Sequence, residues 1–325
     1  MKSFDDRIAV ITGGGTGMGR ELARQLAAAG AHVAICDVSA DNMAQTKALC
    51  EAEGVAGRKF TTHVADVSNE ADLLRFRDEV MREHETDCVH LVFNNAGIAA
   101  MVSVLDDEGR EAWERTFNVC WYGVYYGTRT FLPMLVAAEE AHIVNTSSVN
   151  GLWAAIGPES PHTAYSAAKF AVRGFTEALM TDLALNAPHV KASVVMPGHI
   201  GTSIVINSSK QLGSDPKEMT DEEIDEARSA IEARGVDLAG ATNEQIRAAL
   251  LQQAEGFRDD APMTAEEAAT LILDGVRAGR WRILVGEDAH VLDEMVRSDP
   301  ENAYTREFYD RLVARTNWRL GEINV

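Results

Sequence analysis

The stretch "ITGGGTGMGREL", residues 11–22, decides the fold. A β-branched run, "RIAVIT" (7–12), leads into it. "MGRELARQLAAAG" (18–30) leads out, with Met18, Leu22, Leu26 and Ala29 on one helical face and Gly30 as the stop. Between them, Gly13, Gly17 and Gly19 let the backbone turn tightly and come close to a pyrophosphate, whose charge a helix N-terminus favours. Gly15, Thr16 and Met18 complete the cradle. A glycine-rich turn alone is a weak signal, but here Asp37 ends a second run, "HVAICD" (32–37), where a carboxylate can hold both hydroxyls of a ribose. That carboxylate would repel a 2′-phosphate, and neither Val38 nor "GGTG" offers a cation to welcome one. The residues favour NAD(H) over NADP(H).

Working outward, short β-rich runs alternate with helical patterns: "KFTTHV" (59–64), "VHLVFN" (89–94), "HIVNTS" (142–147), "KASVVM" (191–196) and "RILVG" (282–286) join the first two. This predicts an α/β, Rossmann-type doubly wound sheet of seven mainly parallel strands with helices on both faces. The whole chain, 1–325, reads as one domain, with no linker rich enough in Pro, Gly or Ser to divide it. Thr220 with Glu223 and Thr264 with Glu267 form capping boxes inside the long gap before the last strand, and Thr242 with Gln245 is a candidate third. "SIVINSSKQLGSDPKE" begins apolar and turns polar, so 203–262 is expected to be a helical, mobile substrate-binding lid, and 287–325 a helical C-terminal extension.

The formal net charge of −20 argues against nucleic acid and anionic lipid as partners, and no apolar run approaches a membrane span. Cys36, Cys50, Cys88 and Cys120 lack metal-ligand spacing, and the histidines are scattered, so no metal is expected. His199 reads as a turn residue, with substrate contact the alternative. With no secretory segment at the start, the default location is cytoplasmic.

"TAYSAAKF" (163–170) places Tyr165 and Lys169 one helical turn apart, on one face. A free tyrosine titrates near 10, about three units too high for a base at neutral pH. A neighbouring ammonium stabilises the phenolate, and an oxidised nicotinamide adds more positive charge. Tyr165 could then take an alcohol proton or give one to a carbonyl.

With these residues in hand, the chain resembles the short-chain dehydrogenase/reductase family, classical subtype. T-G-x-x-x-G-x-G runs from Thr12 to Gly19. "NNAG" (94–97) matches the segment lining the adenosine, including Asn95, Ala96 and Gly97. Asp66 and Val67 match the pair beside the adenine. "FNVCWYG" holds Asn118 at the family's asparagine, "NTSSVNGL" the serine, "AYSAAK" the Y-x-x-x-K, and "MPGHIGT" the P-G-x-x-x-T. The match is close over 7–202 and loose beyond it.

By that resemblance Ser148, rather than Ser147, holds the substrate oxygen. Tyr165 is the acid–base, Lys169 also binds the nicotinamide ribose, and Asn118 orders a water for proton exit. Pro197 and Gly198 shape a turn from which Ile200 and Thr202 anchor the carboxamide. The Ser148–Tyr165 interval is longer than the commonest spacing, implying an insertion at the pocket rim. Trp153, Ile156, Ile200, Ile204, Val205, Ile206, Ala99 and Met101 are expected as apolar walls, suiting a bulky hydrophobic secondary alcohol or ketone. The resemblance implies a homodimer or homotetramer. Alternatives are an NADPH-dependent carbonyl reductase and a non-catalytic dinucleotide-binding sensor.

Overall fold

The computed structural model describes residues 1–53, 57–105, 107–158, 160–232, 237–238, 240–316, 318 and 320. Seven strands, β1 (Ile8–Thr12), β2 (His32–Asp37), β3 (Phe60–Val64), β4 (Leu91–Asn94), β5 (Ala141–Thr146), β6 (Val190–Pro197) and, last in the chain, β9 (Arg282–Val285), make one sheet in the order β3-β2-β1-β4-β5-β6-β9. Every pairing in it is parallel. All seven expected strands are present. The strand order reverses between β1 and β4, which opens a crevice at the carboxyl ends of these strands.

Alternation along β1 divides the core. Ala9 and Ile11 face α1 (Gly17–Ala28), α2 (Ala40–Ala52) and α10 (Ala265–Arg277), packing with Leu22, Leu26, Met43, Ile272 and Val276. Val10 faces α3 (Glu70–His84), α5 (Gly123–Ala137) and α6 (Thr163–Asn186), packing with Phe76, Phe131, Leu135 and Leu179. Covered on both faces, central strands such as β5 are buried at every residue.

Three helices, α7 (Ile204–Gln211), α8 (Asp221–Glu232) and α9 (Asn243–Asp259), precede α10 in the gap between β6 and β9. All three capping boxes form, including that of Thr242 with Gln245. Two strands absent from the sequence reading, β7 (Ile200–Gly201) and β8 (Met263–Thr264), pair Ile200 with Met263 and Gly201 with Thr264. Two residues are too few to show a period of two. Their pairing brings the end of the helical excursion back to the turn after β6. Ile224, Ile231, Leu238 and Ile246 give α8 and α9 a small core of their own.

The extension forms α11 (Glu287–Ser298) and α12 (Arg306–Thr316), whose Leu292, Met295, Phe308 and Leu312 pack around Trp153 and Trp318. Here one expectation fails. Trp153 is not a pocket wall: its indole N–H donates to the Ala303 carbonyl (2.6 Å) inside that cluster. Trp318 donates to the Ile156 carbonyl (2.7 Å), so the rim loop is clamped by the extension. No helix among the described residues is long and apolar enough to cross a membrane.

Candidate active site

The cradle is built as its glycines require. Gly13 has φ +68°, and a Cβ there would stand 2.8 Å from Ala96 Cα. Thr12 fixes this approach, its hydroxyl accepting from the Asn95 and Ala96 N–H groups (3.0 and 3.1 Å). Arg20 and Thr46, unremarked in the sequence, hold the turn from beneath: the Arg20 guanidinium and the Thr46 hydroxyl both donate to the Gly15 carbonyl. Thr16, the residue before α1, makes no side-chain cap, and no acid stands in the first turn. The first N–H groups of α1 are thus left for an anion.

Asp37 accepts from the Gly15 and Ser39 N–H groups, both at 3.0 Å, which fixes its carboxylate at the mouth of a cavity of about 550 Å³. Of the expected cofactor contacts, Gly13, Thr16, Gly17, Met18, Asp37, Val38, Asp66, Val67, Asn95, Ala96, Gly97 and Thr202 line that cavity. Gly15, Gly19, Tyr165, Lys169, Pro197, Gly198 and Ile200 do not line it; Ile200 is part of the core. Burial would raise the Asp66 carboxyl, but bonds from Ser68 and Arg115 outweigh it and hold it below the usual range. The volume lies within the ordinary range for ligand sites.

At the Gly97 end, α6 supplies the Tyr165–Lys169 pair. The Lys169 ammonium lies 5.3 Å from the Tyr165 ring centroid and donates to the Thr146 carbonyl (2.9 Å), fully inside the protein. Ser148 ends the extended segment after β5; its hydroxyl accepts the Asn150 N–H (3.1 Å) and lies close enough to the Tyr165 phenol to favour the phenolate. Ser147 is directed elsewhere, donating to the Lys169 carbonyl (2.7 Å). Ser148, Tyr165 and Lys169 therefore converge.

Lys169 alone does not bring the phenol down toward neutrality. Burial pushes Tyr165 above its ordinary value near 10, Lys169 and Ser148 pull it back, and burial wins. The buried His162 ring packs against Tyr165, with centroids 4.9 Å apart, and burial takes it down to about 4, so it is neutral.

Asn118 does not join this cluster. It is exposed, at the head of a π-helical turn (Asn118–Tyr122) between α4 (Arg110–Phe117) and α5. The residue facing the pair is Cys120. Its thiol donates to the Ile98 carbonyl (3.1 Å), and its Sγ and the Lys169 Nζ lie 3.6 and 3.5 Å from where a Gly97 Cβ would stand. The readable signal was Gly123, which packs on Val67 and fixes which face of the helix looks inward.

The turn after β6 closes the other side. The Gly198 N–H donates to Val285 (2.9 Å), and His199, a turn residue as expected, sends its ring N–H to the Phe257 carbonyl (2.7 Å). From α7, Asn207 donates to the Thr16 hydroxyl (3.0 Å), and Ser208 accepts from the Ala99 N–H (2.9 Å). Ile204 lines the cavity, whereas Ile206 faces a small recess beside α9. Among the described residues no cluster of His, Cys, Asp or Glu could hold a metal.

Residues 7–213 match the family model of the short chain dehydrogenases. The chain belongs to that family. Among the relatives of this short-chain dehydrogenase is SadH of Mycobacterium tuberculosis, 35% identical over 97% of this chain and 96% of its own. The cyclopentanol dehydrogenase of Comamonas testosteroni is 34% identical over 62% of this chain and 76% of its own. A family member from Burkholderia phymatum, solved with NAD, superposes with a TM-score of 0.70 at 31% identity, covering 93% of this chain and 96% of that one. A metagenomic member solved with NADP gives 0.53 at 27% identity, covering 60% and 84%. The chain is an oxidoreductase of this family, whose cofactor is a nicotinamide dinucleotide.

Proposed function

We propose that this short-chain dehydrogenase interconverts a bulky, hydrophobic secondary alcohol and its ketone, with NAD(H) as the cofactor. The observation that carries the reading is the convergence of Ser148, Tyr165 and Lys169, with the Lys169 ammonium beside Gly97, a residue that lines the cavity of about 550 Å³. Gly13, Thr16, Gly17 and Met18 would hold the pyrophosphate, Asp37 the adenosine ribose, and Thr202 the nicotinamide side. When bound, the nicotinamide supplies or accepts the hydride. Ser148 holds the substrate oxygen against the phenol. Tyr165 carries the proton to or from that oxygen, and Lys169 steadies its anion.

NAD is favoured because both Asp37 oxygens are pinned at the ribose end, where a 2′-phosphate would meet a fixed negative charge. Of the two cations that line the cavity, Arg115 and Lys210, Arg115 is already paired with Asp66 (2.7 Å). The alicyclic alcohol named for the Comamonas relative suits Ile204, the expected apolar wall that lines the cavity. We read 203–262 as the lid of a single domain. The exposed Tyr122 and Phe170, on the elements carrying Asn118 and Tyr165, would pair two copies into a homodimer or homotetramer.

Initial rates with cyclopentanol-type alcohols and with a polyol, each with NAD and with NADP, test the proposal. NAD-linked oxidation of the alicyclic alcohol should dominate, and Tyr165→Phe should lose about 10²–10⁴-fold in kcat. A polyol preference, an NADP preference or full turnover in the Phe variant would each overturn the corresponding part. Binding of NAD with no turnover on any alcohol would favour the sensor reading instead.

A further inference from the structure

We propose that Asp288 is a positioning residue for the nicotinamide half of the cofactor, acting through the backbone turn at Gly198–His199. The inference rests on the dinucleotide reading above and assigns a role to the C-terminal extension.

An acid at the second position of α11 reads as an exposed residue complementing the helix dipole. Instead Asp288 is 6% exposed and points back at the turn after β6. One carboxylate oxygen accepts the His199 N–H at 2.7 Å, and the other accepts the Ala289 N–H at 2.9 Å. Both oxygens meet donors, the pattern suited to an ionised group. Burial nevertheless pushes its carboxyl above the ordinary range. A buried carboxylate is costly to keep, so its retention calls for a reason beyond filling space.

The surroundings make a slot for it. A Cβ at Gly198 or Gly286 would collide with the Asp288 carboxylate, and Gly286 has φ +103°. The preceding N–H, that of Gly198, donates to Val285, so two consecutive amides of the turn are bound to the β9–α11 junction. Downstream, Ile200 and Gly201 are paired with β8. The next residue, Thr202, then lands against Gly17 and lines the cavity. Residues 198–201 are thus held by backbone pairing, by the His199 ring on Phe257 and, from the C-terminal extension, by the Asp288 carboxylate.

The test separates the two halves of the cofactor. ADP-ribose keeps the adenosine and pyrophosphate but lacks the nicotinamide. Asp288→Asn preserves shape but turns one donor-facing acceptor into a donor. By calorimetry or intrinsic fluorescence, it should weaken NAD and NADH binding by about tenfold, as loss of a charge-assisted hydrogen bond does, while ADP-ribose stays within about twofold. Unchanged NAD binding, or an equal loss for ADP-ribose, overturns the proposal. A second measurement needs no variant. In the wild type, NAD should slow amide hydrogen exchange across 198–202 more than ADP-ribose does, and equal protection overturns it. Should the wild type bind neither molecule, the dinucleotide reading itself fails.

Discussion

In residues 7–202 the two pairings that the motifs point to are set by local chain geometry. Asp37 reaches Gly15 across a single strand–turn–helix unit, and Tyr165 and Lys169 are one helical turn apart. In residues 203–325 the contacts that matter run back across the molecule: Trp153 to Ala303, Ile156 to Trp318, His199 to Asp288. The first region carries the proposed chemistry, and the second braces its loops. The difference teaches that a reactive constellation can be local while its rigidity is not. Three changes break or sharpen that contrast, taken from the largest effect down.

The largest follows from Trp153→Ala, which empties the centre of the cluster joining the rim loop to α11 and α12. Truncating a buried tryptophan costs about 3–5 kcal/mol, and here the Ala303 carbonyl also loses its donor. Urea unfolding should report a loss of that size. A loss below about 1 kcal/mol would mean that the extension does not brace the first region.

The second belongs to the first region alone. His84, His142 and His162 are each pushed down by burial to about 4, from an ordinary value near 6.5. Below 6.5 the unfolded chain takes up protons that the folded chain refuses until about pH 4, so stability falls through that window as the pH drops. Moving from pH 7 to pH 5 should cost roughly 2 kcal/mol per histidine. In His142→Gln the acid-induced loss should be smaller by that amount. Urea midpoints at the two pH values measure it, and an unchanged loss would place the acid sensitivity elsewhere.

How far the chain could be read follows the same division. The glycine turn was legible because its chemistry dictates its spacing: Gly13 must approach Ala96, and Asp37 must reach the mouth. The seven strands were legible because a doubly covered parallel sheet needs continuous β-branched runs. Trp153 was misread because an apolar residue near a serine looks the same whether it faces a substrate or a distant helix. Asp288 was invisible, since an acid in a first helical turn is ordinary until its partner 89 residues away is known. The short β7–β8 pair carries too few residues to leave a pattern.

The smallest change tests where local reading failed inside the legible region. The motif "FNVCWYG" directs attention to Asn118, yet the π-helical turn adds backbone between α4 and α5 and leaves that side chain exposed. Cys120 faces Gly97 and Lys169 instead, with its thiol on the Ile98 carbonyl. Asn118→Ala is then a surface substitution, expected to stay within about 0.5 kcal/mol, roughly twofold in kcat. Cys120→Ala orphans the Ile98 carbonyl and opens a small void beside the pair, expected to cost about 1 kcal/mol in stability. A side-by-side measurement of kcat and unfolding for the two variants decides between them. If Asn118→Ala were the one to slow turnover tenfold, a proton path would run through the exposed amide, and resemblance would have outranked geometry at that position.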